Sequence, residues 1–201
     1  MPRLRQVSRA AATESVLKLY QAMFGDRDPV AEPGTTTGTP GNWWTVFALV
    51  PEALEHAVAG FAFYRGKQRR VAAKLRELGQ TRAGFAGGSQ FVFSQHCKAM
   101  RALGFSEAQI AAVPAWSVAS CFSDDERAVL AYTDCLVLDG GRVPDGVFEA
   151  LKCVFDDAQI MEFTYTTCMY GMHATICRAL RLEFDDVPER IVEVPVAFVA
   201  R

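Results

Sequence analysis

The sequence predicts an all-α protein. Apolar residues recur at three- and four-residue steps in successive segments. Most of those segments open on a capping residue or a first-turn proline, and Gly- or Pro-rich breaks separate them. Half of the 201 residues are hydrophobic, enough to fill the core of one domain of ordinary size.

Taken in order, residues 1–10 read as a frayed or partner-binding arm. A first helix follows over about 13–24, with Thr13 or Ser15 as cap and Val16, Leu17, Tyr20 and Met23 as its apolar stripe. Residues 25–41 are rich in Gly, Pro and Thr and read as a loop long enough to be a lid or a mobile segment. NWWTVFAL (42–49) is a short aromatic helix, and Pro51 suits the first turn of the next one, PEALEHAVAGFAFYR. His56 lies opposite the Leu54, Val58 and Phe61 face of that helix and is expected to be partly exposed.

A helix over 71–85 carries Glu77. Gly87 and Gly88 break it, and Gly88 or Ser89 opens the helix that carries His96 and ends near Gly104. Ser106 caps SEAQIAAV. Ser123 with Glu126 forms a capping box before DERAVLAY. Pro144 opens DGVFEALKCVF, and Asp156 or Asp157 opens the last long helix. The tail after Glu183, ERIVEVPVAFVAR, alternates Val and Ile with prolines and reads as an extended arm or edge strand. The expected division is 1–41 (arm, helix and long loop), 42–184 (helical domain) and 185–201 (C-terminal arm).

Composition excludes several classes. The net charge of −2 and the single basic cluster, RGKQRRVAAKLR, argue against a nucleic-acid surface. No apolar run reaches the roughly 18 residues of a membrane span. Two early arginines have no hydrophobic stretch behind them, so no secretory signal is read, and a cytoplasmic location is expected. The six cysteines include no C-x-x-C pair and are expected to be reduced. No His/Cys/carboxylate grouping has zinc-site spacing, so no metal and no cofactor are expected.

The chemistry points to Glu77 and His96. The chain has three histidines, and one stands inside FVFSQHCKAM. Two helices joined by a short Gly-Gly connection pack antiparallel, so a carboxylate on one can meet an imidazole on the other. Ser89, Val92, His96 and Met100 share a stripe, because seven residues return to within about 20° on a helix. Cys97 points about 100° away from His96 and reads as a structural thiol. Tyr165, Met169 and His173 form a second stripe on the last helix.

The order of the pieces then becomes informative. P-E-A-L is followed by K-L-R-E-L, then G-S-x-aromatic with x-Q-H, then G-F-S-E-A-Q-I, F-S-D-D-E-R-A-V-L-A-Y and D-x-x-I-M-E. Over about 43–184 this resembles the carboxymuconolactone decarboxylase family, including its alkylhydroperoxidase D-like branch. The resemblance implies an alkylhydroperoxidase D-like helical bundle, here with an N-terminal helical extension and an extended C-terminal arm. It also implies assembly as a homo-oligomer: a dimer, trimer or hexamer.

In the peroxidase branch a C-x-x-C-x-x-x-H helix follows an upstream glutamate. On this chain His96 matches the histidine and Glu77 the glutamate, while Ser89 and Val92 stand where the two cysteines would be. A second branch has E-W-x-x-H, and here Val92-Phe93 replaces Glu-Trp. The thiol chemistry at those positions is therefore lost, and the outer acid–base pair is kept. The expected protein is a cofactor-free enzyme acting on a small carboxylated or carbonyl compound by decarboxylation, isomerisation or hydration. His96 would be the general acid/base and Glu77 its orienting partner. Ser89, Val92, Phe93, Trp43, Trp44 and His173 would bind the substrate. A peroxidase using Cys97 or Cys168, and a non-catalytic helical oligomer binding a small ligand or protein, are the alternatives. Neither a nucleic-acid nor a membrane partner is expected.

Overall fold

The computed structural model describes residues 1–183 and 191. Those residues fold into helices α1 (Glu14–Phe24), α2 (Asn42–Phe47), α3 (Pro51–Arg65), α4 (Ala73–Ala86), α5 (Gln90–Ala102), α6 (Glu107–Ala112), α7 (Asp124–Val137), α8 (Asp145–Lys152) and α9 (Asp157–Leu180), with short 3₁₀ turns at Arg9–Ala11 and Val113–Val118. No strand occurs among the described residues. The expected strand or arm over 185–201 lies, apart from Ile191, outside them.

The helix starts follow the local chemistry. Thr13, Ser106, Ser123 and Asp156 each accept a hydrogen bond from a first-turn N–H, and the last three form full capping boxes. Pro51 occupies the first turn of α3. The end of α5 is equally determined: Gly104 adopts φ +78°, its N–H donates to Arg101 at 3.0 Å, and the Phe105 N–H donates to Met100 at 3.1 Å. That is a Schellman termination, which needs a left-handed residue and so favours glycine.

The central element is α4, which packs against α5, α7 and α9. Every residue from 77 to 84 on it is buried. Small residues make that possible. A methyl group on Gly79 would come within 2.3 Å of the Phe163 ring on α9, and one on Gly84 within 2.7 Å of the Phe93 backbone nitrogen on α5. The turn at Gly87–Ser89 folds α5 back along α4. Gly84 therefore faces Phe93 while Glu77, two turns earlier, faces His96. The pairing order is antiparallel, as the short connection requires.

The amino-terminal segment departs from expectation. Rather than fraying, the Arg3 N–H donates to Leu180 O and the Val7 N–H to Thr45 O, both at 2.9 Å. Tyr20 Oη donates to Val7 O at 2.8 Å. Val7 is 5% exposed and shares a core with Trp43, Leu54 and Cys177. Burial of one apolar side chain and completion of those carbonyls fasten the segment down. The loop over 25–41 is also folded on itself: Thr35 N donates to Thr39 O at 2.8 Å and Gly34 N to Pro40 O at 2.9 Å. Lys98 Nζ on α5 donates to Thr37 O at 2.7 Å, holding the loop against that helix.

Candidate active site

Glu77 and His96 are each 6% exposed and meet across the α4–α5 interface. Glu77 Oε1 is hydrogen-bonded to His96 Nδ1. Its second oxygen, Oε2, accepts a hydrogen bond from Tyr64 Oη at the end of α3. Two tyrosine rings stand edge-on to the imidazole: Tyr170 of α9, with centroids 4.4 Å apart, and Tyr64, at 6.0 Å. Val92, Met169 and Ala174 pack with those tyrosines.

The electrostatics set the protonation pattern. Burial opposes ionisation of Glu77, but the charge of His96, hydrogen bonds from His96 and Tyr64, and the nearby Arg76 outweigh it. Together they hold the carboxyl below its ordinary range. Tyr64 is pushed far up by burial and then by the Glu77 charge, so its phenol keeps its proton. An ionised carboxylate only accepts hydrogen bonds. The two hydrogens therefore sit on Tyr64 Oη and His96 Nδ1. In the neutral imidazole this leaves the lone pair on Nε2, the nitrogen turned away from Glu77.

Arg82, on the same helix as Glu77, is occupied elsewhere. Its Nε and Nη2 clamp Asp134 at 2.6 and 3.0 Å, and Nη1 donates to Pro114 O at 3.0 Å. Trp116 Nε1 also donates to Asp134, at 2.9 Å. Lys74, three residues before Glu77, has its Nζ 5.2 Å from the centre of the Phe105 ring. Glu77 is thus left to the imidazole and the phenol.

A chamber of about 330 Å³ opens between α3 and α9, lined chiefly by Gly60, Cys168, Met169, Met172 and His173. It adjoins an outer groove of about 650 Å³, with which it shares His56, Gly60 and Tyr165. Neither Glu77 nor His96 lines these cavities. Met169 belongs to both places: it lines the chamber and packs beside Tyr64, Val92 and Tyr170. It is therefore the wall between the chamber and the Glu77–His96 pair. Gly60 leaves room for it, since a Cβ there would lie 2.8 Å from the Met169 sulfur.

The other sequence candidates divide between neighbourhoods. Val92 lies with the tyrosines beside His96. Trp43 is 2% exposed and stacks on Phe47 with centroids 4.2 Å apart; its ring is 5.8 Å from that of His173. Trp44 meets Trp43 edge-on. Phe93 faces the opposite core, with Leu78, Cys97 and Met100. Ser89 accepts the Val92 N–H at 3.3 Å as the cap of α5 and lines a separate cavity of about 200 Å³ beside Phe91 and Cys177. The structure thus brings Glu77, His96 and Val92 together, sets His173 in the adjoining chamber, and keeps Ser89 and Phe93 apart from both.

Tyr64 is the residue the sequence reading missed. A signal was present. Leu54, Ala57, Phe61 and Tyr64 share one face of α3, and a tyrosine on a buried stripe needs a partner for its hydroxyl. Among the described residues no group of three or more His, Cys, Asp or Glu side chains is arranged to hold a metal, and no helix is long and apolar enough to cross a membrane.

Residues 52–134 match the profile of the carboxymuconolactone decarboxylase family. The Bacillus subtilis protein YdfG, itself uncharacterised, is 27% identical over 97 residues, which span 48% of this chain and 66% of YdfG. Solved structures share the fold. A putative antioxidant defence protein AhpD from Agrobacterium tumefaciens superposes with a TM-score of 0.63 at 24% identity, covering 74% of this chain and 97% of its own. The debrominase Bmp8 in complex with 2,3,4-tribromopyrrole superposes with a TM-score of 0.67 at 12% identity, covering 92% and 95%. Residues 52–134 thus resemble the carboxymuconolactone decarboxylase family, and the chain shares the AhpD-like fold.

Proposed function

We propose that this protein is a cofactor-free acid–base enzyme, carrying out decarboxylation, isomerisation or hydration on a small carboxylated or carbonyl compound. The observation that carries the reading is the buried chain of hydrogen bonds Tyr64–Glu77–His96. It presents one imidazole nitrogen as the exchangeable proton site. Nε2 of His96 takes a proton from carbon beside a carbonyl and returns it at another position. In a decarboxylation, His96 in its protonated form gives its proton to the carbanion left when CO₂ departs. Glu77 stabilises the imidazolium formed when Nε2 gains a proton, and Tyr64 holds the carboxylate still.

The substrate enters through the α3–α9 chamber and reaches the imidazole edge when Met169 swings aside. A methionine suits that role, being unbranched and able to repack at small cost. The debrominase among the structural neighbours supports enzymatic use of this fold on a small organic molecule. Cysteine chemistry has less support. Cys97 is fully buried among apolar residues, and burial pushes the Cys168 thiol up, away from the reactive thiolate.

The test is a panel of lactones, ketones and keto acids assayed with wild-type protein and His96→Ala. Turnover by wild type that falls about 10³-fold in the variant, with the helical spectrum retained, is the expected result. Turnover that survives the substitution refutes the assignment.

A further inference from the structure

His173 is 2% exposed, and among the described residues neither of its ring nitrogens has a hydrogen-bond partner. Its ring is held among aromatic side chains, with centroids 4.9 Å from Phe61, 5.8 Å from Trp43 and 6.1 Å from Phe47. The same residue lines the 330 Å³ chamber. Buried polar groups in folded proteins are nearly always paired, and an unpaired one beside a roomy cavity points to a ligand. A neutral imidazole offers one donor and one acceptor. Burial, followed by the nearby His56, lowers the His173 pKa to about 4, so the ring is neutral at physiological pH.

The chamber also limits what can enter. Among the described residues no carboxylate, lysine or arginine lines it; its remaining walls are Ala57, Gly60, Cys168, Met169 and Met172, with His56 and Tyr165 at the side shared with the outer groove. An ionised ligand group would lose its water there without gaining a counter-charge. The charged side chains nearby, Arg69, Arg70 and Glu162, line the outer groove alone.

We propose that the chamber is a binding site for a neutral, largely apolar molecule bearing one carbonyl or hydroxyl group, and that this group pairs with His173. That the molecule is the substrate rests on the acid–base reading above; that it binds does not. Within the class named there, His173 selects the neutral carbonyl compounds over the carboxylated ones.

Three probes of similar size separate the contributions: acetophenone (neutral, with an acceptor), ethylbenzene (no polar group) and benzoate (ionised). Isothermal titration of the full chain is expected to show acetophenone bound at least about tenfold more tightly than either of the others, a difference of about 1.4 kcal/mol. His173→Phe keeps the ring and removes both nitrogens, and its preference for acetophenone over ethylbenzene is expected to shrink to within about twofold. Benzoate binding as tightly as acetophenone, or a preference undiminished in His173→Phe, overturns the proposal. Should that variant fail to fold, nitrogen NMR of wild type decides: the His173 ring resonances must shift on saturation with acetophenone and not with ethylbenzene. Resonances unmoved by acetophenone overturn it equally. The His96→Ala protein separates the two readings. Retained probe preference with undiminished turnover in that variant removes the acid–base reading alone. Undiminished selectivity in His173→Phe with an inactive His96→Ala removes this proposal alone.

Discussion

His96 and His173 are buried to a similar degree, 6% and 2% exposed, and the same tyrosine, Tyr170, lies close to both rings. Their surroundings differ in one respect. His96 faces a carboxylate that fixes which nitrogen carries the proton. His173 faces aromatic rings and an open chamber, and neither nitrogen is engaged by any described residue. Burial alone therefore does not define an imidazole's task. A carboxylate partner fixes the tautomer and the orientation of the ring, whereas an apolar cage leaves it neutral and able only to hydrogen-bond. A third buried polar group sharpens the contrast. The Arg82–Asp134 pair is engaged by Trp116 Nε1 and by backbone carbonyls, and a guanidinium does not release its proton, so that pair is structural.

Replacement is expected to separate the two histidines. The largest effect belongs to His96→Ala, with turnover down about 10³-fold and acetophenone binding unchanged. The next is thermodynamic and belongs to His173. Its folded-state pKa of about 4 lies below the ordinary 6.5, so between those values the unfolded chain binds the extra proton. Stability contributed by the neutral ring is complete above pH 6.5 and is lost as pH falls toward 4, by roughly 3 kcal/mol in all. His173→Phe should flatten that limb in urea unfolding followed from pH 7 to 4. An unchanged slope would mean that the ring is not held neutral.

Glu77→Gln should lower turnover by about 10²-fold or more, because an amide can donate to Nδ1 and move the imidazole proton to Nε2. Glu77 also has its own pH window. Its depressed pKa gives stability that is present above the ordinary 4.5 and lost as pH falls through the lower folded value, below most of the His173 window. Tyr64→Phe should have the smallest effect. It leaves Glu77 Oε2 without its donor and is expected to cost about 2 kcal/mol in stability, with turnover reduced but measurable. Thermal melts and initial rates on the purified variants read both effects.

Much of the fold was legible because its signals are local. The caps at Thr13, Ser106, Ser123 and Asp156, the first-turn Pro51 and the left-handed Gly104 each declare a helix boundary within a few residues. The Glu77–His96 meeting was legible for a related reason, since a short Gly-Gly turn leaves the two helices one way to pack. What escaped depends on contacts between distant positions. Nothing near Arg3 indicates that its N–H will meet Leu180, and nothing near Glu77 indicates that Arg82 will turn to Asp134 instead. Phe93 and Ser89 follow the same rule. Ser89 opens its helix as the sequence suggested, but the packing of α5 on α4 sends Phe93 to the opposite core and leaves Ser89 away from the Glu77–His96 pair.

The central claim is that Glu77 holds His96 with its proton on Nδ1 and leaves Nε2 free to exchange one. Nitrogen-15 NMR of histidine-labelled protein at a pH where His96 is neutral measures this directly. The account predicts a protonated, hydrogen-bonded Nδ1 and an unprotonated Nε2, with the pattern lost in Glu77→Gln. A proton on Nε2 in the wild-type protein, or a pattern indifferent to Glu77, would contradict it.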